Sequence, residues 1–300
     1  MPCRCVSHCG CLGAGHPGSR WKRIAVVLLA SLVLSGCVTR MAYGQLDWLT
    51  RWYVNSYFDL NDSQDRLARE IIERNLAWHR ATQLPQYAAH VRELRAGLGG
   101  LVTAEFIAQQ YATTLVIWDE SLRHMSPDMA LLLQSLSDTQ VSEFFDELAE
   151  RNAELVEEYS GRAPEARRRK QDRSIIRAFR WFTGPLSSDQ ESVVRAYTAG
   201  MHDLTEQWLE RRAAWQSALR ELLLTRSAPD FEDRLMQLLL DPDQFDSAEY
   251  RELVAANRQI AFAMAAEILS SLSPKQRKHL DDRLARLAVD FADLAGTPAR

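Results

Sequence analysis

The stretch LSPKQ, residues 272–276, decides the fold because its side chains mark the start of a helix. Serine at the N-cap accepts a hydrogen bond from a free backbone N–H of the first turn, and glutamine three residues later bonds back to the serine N–H. The same form, L-[SN]-x-x-Q, returns as LNDSQ (60–64), LSDTQ (136–140) and LSSDQ (186–190). Each of these four capping boxes predicts a helix start that contributes about 1 kcal/mol.

The segments between the boxes favour helix throughout. They are rich in Ala, Leu, Glu, Arg and Gln, which are strong helix formers, and their apolar residues follow the 3.6-residue period. The pattern predicts one long helix over 188–225, a helix start at Ser126–Pro127, and closing helices at about 247–271 and 274–294. The boxes are 76, 50 and 86 residues apart, which is a repeated start signal and not a solenoid period. We therefore predict an all-α fold, a single elongated bundle of about eight to ten helices.

The N-terminal region predicts export and anchoring. A basic patch at 20–23 precedes an uncharged run over 24–34, which is about half of the roughly 20 residues that a membrane-spanning helix needs. The next residues, Leu34-Ser35-Gly36-Cys37, resemble the lipobox of bacterial lipoproteins. That resemblance implies cleavage before Cys37 and a diacylglycerol on its thiol. The alternative is an uncleaved anchor in which Cys37 is an ordinary buried thiol.

The resemblance also implies an organisation and a location. Residues 1–36 would be the signal peptide, 37–44 a lipidated tether and 45–300 an all-helical periplasmic domain. Lipoproteins with Asp after the cysteine tend to stay at the inner membrane, and this chain has Val38. The expected location is the outer membrane, on its periplasmic face, with membrane lipid as the first partner.

Four further cysteines stand in the segment 1–19. Their C-x-C-x3-C-x-C spacing differs from the paired C-x2-C knuckles typical of zinc sites. The segment would be discarded with the signal peptide, or lie upstream of the true translation start. Cys37 would then be the only cysteine and would be acylated, so we expect no disulfide. We also expect no metal site and no cofactor.

Charge argues against one class of partner. The chain has 36 basic and 40 acidic residues, and residues 1–36 contain four of the basic and none of the acidic ones. The mature chain therefore keeps 32 against 40, a net charge of about −8. Such an acidic chain is a poor binder of nucleic acid.

The sharpest charge feature is a basic run that forms a candidate patch for an anion or a partner. Its members are Arg167, Arg168, Arg169, Lys170, Arg173, Arg177 and Arg180. They could bind anionic lipid heads, lipopolysaccharide or peptidoglycan carboxylates. However, an acidic run over 143–158 lies just upstream, and an antiparallel pair of helices turning at 161–164 would set acid beside base. We expect the two runs to neutralise each other in this way. Their exposed ion pairs would mainly determine which helices pack together and keep the chain soluble.

An aromatic stripe lies close to the tether. Trp48, Trp52, Tyr53 and Tyr57 follow the helical period. Because such stripes usually pack inside, we expect these side chains to lie in the hydrophobic core. The alternative is a helix that rests on the bilayer interface.

Catalytic and metal motifs are missing from the predicted mature chain. Residues 37–300 contain no H-x-x-x-H or H-E-x-x-H pair, no G-x-S-x-G elbow, no Walker loop and no G-x-G-x-x-G. The pairs Glu120/His124 and His202/Glu206 could share a helix face, but a metal would need further ligands from other helices. We therefore expect no enzyme.

Two family resemblances bear on function. L-[SN]-x-x-Q is similar to the L-T-x-x-Q motif of the small helical periplasmic chaperones of the Spy and CpxP type, with Ser or Asn in place of Thr. The lipobox, the Tyr- and Trp-rich first helix and the basic helix over 167–184 that leads into a box resemble an uncharacterised family of Gram-negative lipoproteins, which brings no known activity. The leading hypothesis is a non-enzymatic interaction or structural protein of the envelope, with an envelope protein or peptidoglycan as partner. A chaperone-like holdase comes second, and an envelope enzyme with an unrecognised site third.

Overall fold

The computed structural model describes residues 43–296. Every regular element within that range is a helix, so the all-α prediction is confirmed. The predicted signal peptide over 1–36, Cys37 and the tether up to residue 42 lie outside the described residues. Cleavage, acylation and the proposed boundaries there stay predictions.

Eleven α-helices follow one another along the described part of the chain. The first six are α1 (Leu46–Asn55), α2 (Asp62–Trp78), α3 (Leu84–Gly97), α4 (Ala104–Gln134), α5 (Asp138–Ser160) and α6 (Pro164–Thr183). The other five are α7 (Ser188–Ala199), α8 (Thr205–Leu224), α9 (Phe231–Leu240), α10 (Ala248–Ser270) and α11 (Pro274–Ala295). A π-helical turn at His79–Gln83 joins α2 to α3, and a 3₁₀ turn at Pro242–Phe245 precedes α10. None of the helices between residues 43 and 296 is both long and apolar enough to cross a membrane.

All four boxes form as predicted. In each, the N-cap side chain accepts from the backbone of the N3 glutamine, and that glutamine side chain accepts from the N-cap backbone. At the last box these two bonds measure 3.2 Å from Gln276 N to Ser273 Oγ and 2.9 Å from Ser273 N to Gln276 Oε1. The boxes therefore start α2, α5, α7 and α11.

The boxes also join in pairs, which the sequence did not predict. The side chains of Gln64 and Gln140 each donate to the other's Oε1, at 3.0 and 2.8 Å, and Gln190 and Gln276 do the same at 3.2 and 2.8 Å. Each glutamine amide also donates to the carbonyl just before its partner's box; these carbonyls belong to Ser135, Asp59, Ser271 and Pro185. The N-termini of α2 and α5 are thereby fastened together, as are those of α7 and α11.

Each of three core clusters includes a leucine from a box. Leu136 packs with leucines of α8 and α9, Leu186 with residues of α6, α7 and α10, and Leu272 with residues of α3 and α11. The most extensive helix contact is that of α3 with α11. The box motif therefore ends a loop, caps a helix and contributes to the core at the same point.

The prediction of one unbroken helix over 188–225 is wrong. α7 ends at Ala199, and residues 200–204 form a break before α8. Asn257 of α10 holds this break, because its amide accepts from His202 N at 2.8 Å and donates to His202 O at 2.9 Å. A glycine at position 200 makes the helix easy to interrupt, and a contact from a distant helix decides that it stops.

The prediction of a helix start at Ser126–Pro127 is also wrong, since Pro127 lies inside α4. Proline removes the N–H that would bond the carbonyl four residues earlier, here that of Arg123. Ser126 Oγ donates to that carbonyl at 3.4 Å in its place. The serine that resembles a cap thus supports a continuous helix.

The aromatic stripe of α1 is exposed, which corrects the expectation of core packing. Trp48, Trp52 and Tyr53 keep 61%, 57% and 55% of their surface open, and α1 has no buried residue. Tyr57 is partly buried and stacks edge-on against Tyr53 and Phe144. Only this last member of the stripe reaches a core cluster.

Candidate anion-binding groove

A cavity of about 620 Å³ opens between α6 and the break that separates α7 from α8. The end of α5 and the start of α10 close its sides. Four cationic side chains line it, those of Arg162, Arg167, Arg168 and Lys170, against two carboxylates, Glu165 and Asp203. We call this cavity the basic groove.

Helix geometry selects which members of the predicted patch reach the basic groove. Pro164, Arg167, Arg168, Gln171 and Ser174 recur at three- and four-residue spacing and therefore share one face of α6. Lys170 lies at the edge of that face. Arg169, Arg173, Arg177 and Arg180 lie on another side of α6 and are exposed outside the groove. The structure thus brings three of the seven predicted residues together.

Arg167 has a structural role in the wall of the groove. Its guanidinium binds Asp203, with Nε 2.8 Å from Oδ2, and donates to the carbonyls of Arg162 at 2.6 Å and Tyr159 at 3.3 Å. Burial acts to raise the pKa of Asp203, but hydrogen bonds from Thr205 and Arg167 outweigh it and hold that pKa below its ordinary value. Both partners therefore stay charged and fix the break against α6.

The other cations are freer to meet a ligand. Lys170 binds Glu158 at the end of α5, and Arg162 approaches the same carboxylate at 3.6 Å. The hydrogen bond from Lys170 holds the pKa of Glu158 below its usual range. Arg168 is exposed and forms no ion pair with any residue in the described range. Arg162 and Lys170 thus share one carboxylate while Arg168 has none, and the groove keeps a positive excess.

The predicted antiparallel pairing of an acidic with a basic helix is wrong. α5 packs against α8, while α6 packs against α7 and α11, so α5 and α6 do not lie side by side. Compensation between them is confined to Glu158 beside the turn. The acidic side chains Glu147, Glu150 and Glu154 line a separate cavity of about 520 Å³ next to Arg151 and Arg212. Acid and base are therefore segregated on two surfaces.

Aromatic and apolar side chains form the rest of the groove, and the sequence did not single them out. Trp208 lies with its ring centroid 5.9 Å from that of Tyr159, and Met201 and Tyr250 also line the cavity. Lys170 Nζ stands 4.8 Å from the centre of the Tyr159 ring. The sequence feature that could have indicated the groove is the Gly200-to-Thr205 stretch, because its Gly, Asp and Thr favour a turn at the site of the helix break.

A buried hydrogen bond supports the groove from below. Thr198 Oγ1 donates to Asp172 Oδ1 at 2.6 Å, and both side chains are buried. Because α6 and α7 are joined at this point, the cationic face of α6 is held in a fixed position against the break.

The remaining candidate residues do not assemble a metal centre within residues 43–296. No group of three or more metal-ligating side chains comes together there. His124 stacks on Trp78 with 3.7 Å between ring centroids, and His202 is exposed at the groove. Cys37 lies outside the described residues.

The groove's chemistry suits an anion carried on a larger body. Guanidinium and ammonium groups donate charge-assisted hydrogen bonds to carboxylates and phosphates, and an aromatic wall adds contact area. The volume lies within the range of pockets that bind small ligands.

Comparisons with known proteins give a family and no activity. A family model described as "Family of unknown function (DUF6279)" matches residues 56–251, about two thirds of the chain. The matched range includes three of the four boxes and the cationic face of α6, and it begins after α1. No curated protein matches the chain. No solved structure matches it.

Proposed function

The chain belongs to a family of unknown function (DUF6279), and from its own residues we propose a non-enzymatic lipoprotein of the outer membrane that binds an anionic envelope component. Acyl chains on Cys37 hold it on the periplasmic face, and the basic groove takes the ligand. The observation that carries the proposal is the groove itself, a positive, aromatic-walled cavity on a chain whose mature net charge is about −8.

The ligand that fits best presents carboxylates on a bulky polar body, as peptidoglycan does. Arg162 and Arg168 are exposed arginines that both line the groove, and guanidinium pairs favourably with carboxylate. Trp208 and Tyr159 offer ring faces to the body of the ligand. The lipid anchor would keep the groove in the periplasm, within reach of the cell wall.

Co-sedimentation with purified peptidoglycan sacculi tests the proposal. The variant Arg162→Glu/Arg168→Glu reverses the two exposed groove charges, and we expect its affinity to fall at least about tenfold because attraction becomes repulsion. Binding of the natural chain should also weaken as salt rises, since exposed charges are screened.

The matched control is Arg173→Glu/Arg177→Glu, which makes the same charge change on the same helix outside the groove. Its affinity should stay near that of the natural chain. An equal loss in both variants, or no loss in the groove variant, would contradict the proposal.

A second candidate function, a chaperone-like holdase, is favoured by apolar side chains exposed on α4. Val116 and Trp118 each keep 59% of their surface open, and Tyr111 and Leu115 are exposed on the same helix. Exposed apolar surface of this kind can hold an unfolded client. The purified chain should then suppress aggregation of a denatured protein at stoichiometric amounts in a light-scattering assay. Trp118→Ser should reduce the effect, and absence of suppression by the natural chain would remove this candidate.

A further inference from the structure

α1 turns its largest apolar side chains outward. Its exposed residues are Trp48, Leu49, Trp52, Tyr53 and Asn55, and four of these five are large and apolar. A helix on the surface of a protein in water normally presents the opposite arrangement, with its apolar side against the body. We call the four apolar residues the α1 aromatic face.

The side of α1 that turns toward the body is mixed, since three of its five partly buried residues are polar and two, Leu46 and Val54, are apolar. Asp47, Thr50 and Arg51 are partly buried there, and Arg51 Nη2 lies 3.7 Å from Asp65 Oδ1 of α2. α1 is thus attached to α2 in part through charge, and within its aromatic face Tyr53 meets the ring of Tyr57 while Trp48 and Trp52 have no ring partner among the described residues. Burying that face in water-excluding surroundings would recover the hydrophobic free energy that exposure forfeits.

The position of α1 in the chain indicates what covers this face. Five residues lie between Cys37 and Tyr43, where the described structure begins, and these six residue steps can span at most about 22 Å. The Tyr43 hydroxyl lies 2.9 Å from His79 Nδ1, which fixes the start of the body beside α1. An acylated Cys37 would therefore hold α1 within reach of the bilayer surface.

The composition of the face suits a bilayer interface. Tryptophan and tyrosine collect at the headgroup level, where the ring is in apolar surroundings and its N–H or O–H meets water. A helix lying in the interface plane buries its apolar side to a depth of about 5–10 Å. The two tryptophans, the tyrosine and the leucine on one side of this ten-residue helix would supply the apolar side chains that enter the interface to that depth.

We propose that the α1 aromatic face lies in the lipid headgroup region of the membrane to which the chain is anchored. The proposal rests on the lipoprotein function proposed above. It makes the bilayer a second attachment, so the body is oriented on the membrane and does not swing freely on its tether.

Photo-crosslinking of the full chain in Gram-negative cells tests this inference. The photoreactive residue p-benzoylphenylalanine replaces Trp52 in one variant and Trp118 in the control. The two sites are matched, with 57% and 59% of the side chain exposed. After irradiation of intact membranes, mass spectrometry should find phospholipid adducts at position 52 in roughly tenfold or greater excess over position 118, because aqueous side chains rarely meet lipid.

The N-terminal mass measured in the same samples separates the two proposals. An acylated Cys37 without excess lipid at position 52 overturns the inference and leaves the anchor standing. Excess lipid at position 52 on a chain without acylation supports the inference and overturns the anchor. A protein adduct at position 52 in place of lipid also overturns the inference, since a protein would then cover the face.

Discussion

The backbone at Gly184 shows how one residue ends the basic helix. Its φ of 79° and ψ of −170° lie in a region that is essentially restricted to glycine. We predict that Gly184→Ala lowers the free energy of unfolding by about 1–3 kcal/mol, since an added Cβ is strained there whatever the space around it. Urea denaturation followed by circular dichroism measures this change.

Gly200→Ala is the matched control for that prediction. Gly200 also ends a helix, but its φ of −87° is one that alanine adopts without strain. Its unfolding free energy should change by no more than about 0.5 kcal/mol. A similar loss at both glycines would mean that the conformation of Gly184 is not the cause.

The residues of the basic groove could be predicted from the sequence only in part. The run on α6 was visible as charge, and helical periodicity groups Arg167 and Arg168 around Gln171, which lies four and three residues further on. Periodicity does not tell which distant segment meets that face, so Trp208 and Asn257 were missed. The exposure of Trp48 and Trp52 was missed for the same reason. An aromatic stripe shows the same helical spacing in the sequence whether the protein core or a membrane covers it.

At the scale of the element, the boxes were predictable because their bonds close within four residues. The N-cap and the N3 glutamine meet in any chain that starts a helix there. The pairing of Gln64 with Gln140 depends on two helices 76 residues apart and has no local signature. The break at Gly200 and the continuity of α4 through Pro127 were missed likewise, since a tertiary contact and one serine hydroxyl decide them.

The paired glutamines give a prediction about element junctions. Gln140 Nε2 donates to Asp59 O at 2.6 Å and to Gln64 Oε1 at 2.8 Å. In Gln140→Glu a carboxylate would face both oxygens with no proton to donate, and we expect the free energy of unfolding to fall by about 2–4 kcal/mol at pH 7. Part of the loss should be recovered near pH 4, because a protonated carboxyl regains one donor.

Gln259→Glu controls for the added charge. Gln259 is exposed in the middle of α10, so the same substitution there should change stability little. Urea unfolding at both pH values compares the two variants. Equal effects at positions 140 and 259 would contradict a role of the glutamine pair in joining α2 to α5.

At the scale of the whole molecule, charge is separated by the direction that the chain takes after Gly161. The acidic edge of α5 and the basic face of α6 would have neutralised each other in an antiparallel pair. The helices instead pack on different partners, so the molecule presents an acidic cavity and a basic groove. The two lie next to each other at Glu158, which lines the cavity and binds Lys170 of the groove. Composition alone predicted an acidic chain, but only the packing of the helices leaves a positive surface for an anion.

The last prediction concerns where this whole molecule is held. The lipobox resemblance implies that the signal peptide is removed only after the thiol of Cys37 is modified. Cys37→Ser should therefore leave a precursor that is longer by residues 1–36 and carries no acyl chain. Gel mobility and intact-protein mass spectrometry of membrane fractions measure both properties.

Cys11→Ser is the control, because it removes a thiol from the segment that is predicted to be discarded. The mature chain should then have its normal mass and acylation. A normally cut and acylated protein from Cys37→Ser would refute the anchor, and the basic groove would lose the argument that ties its ligand to the periplasm. The cationic groove and its charge-reversal test would still stand, since they depend only on residues 158–257.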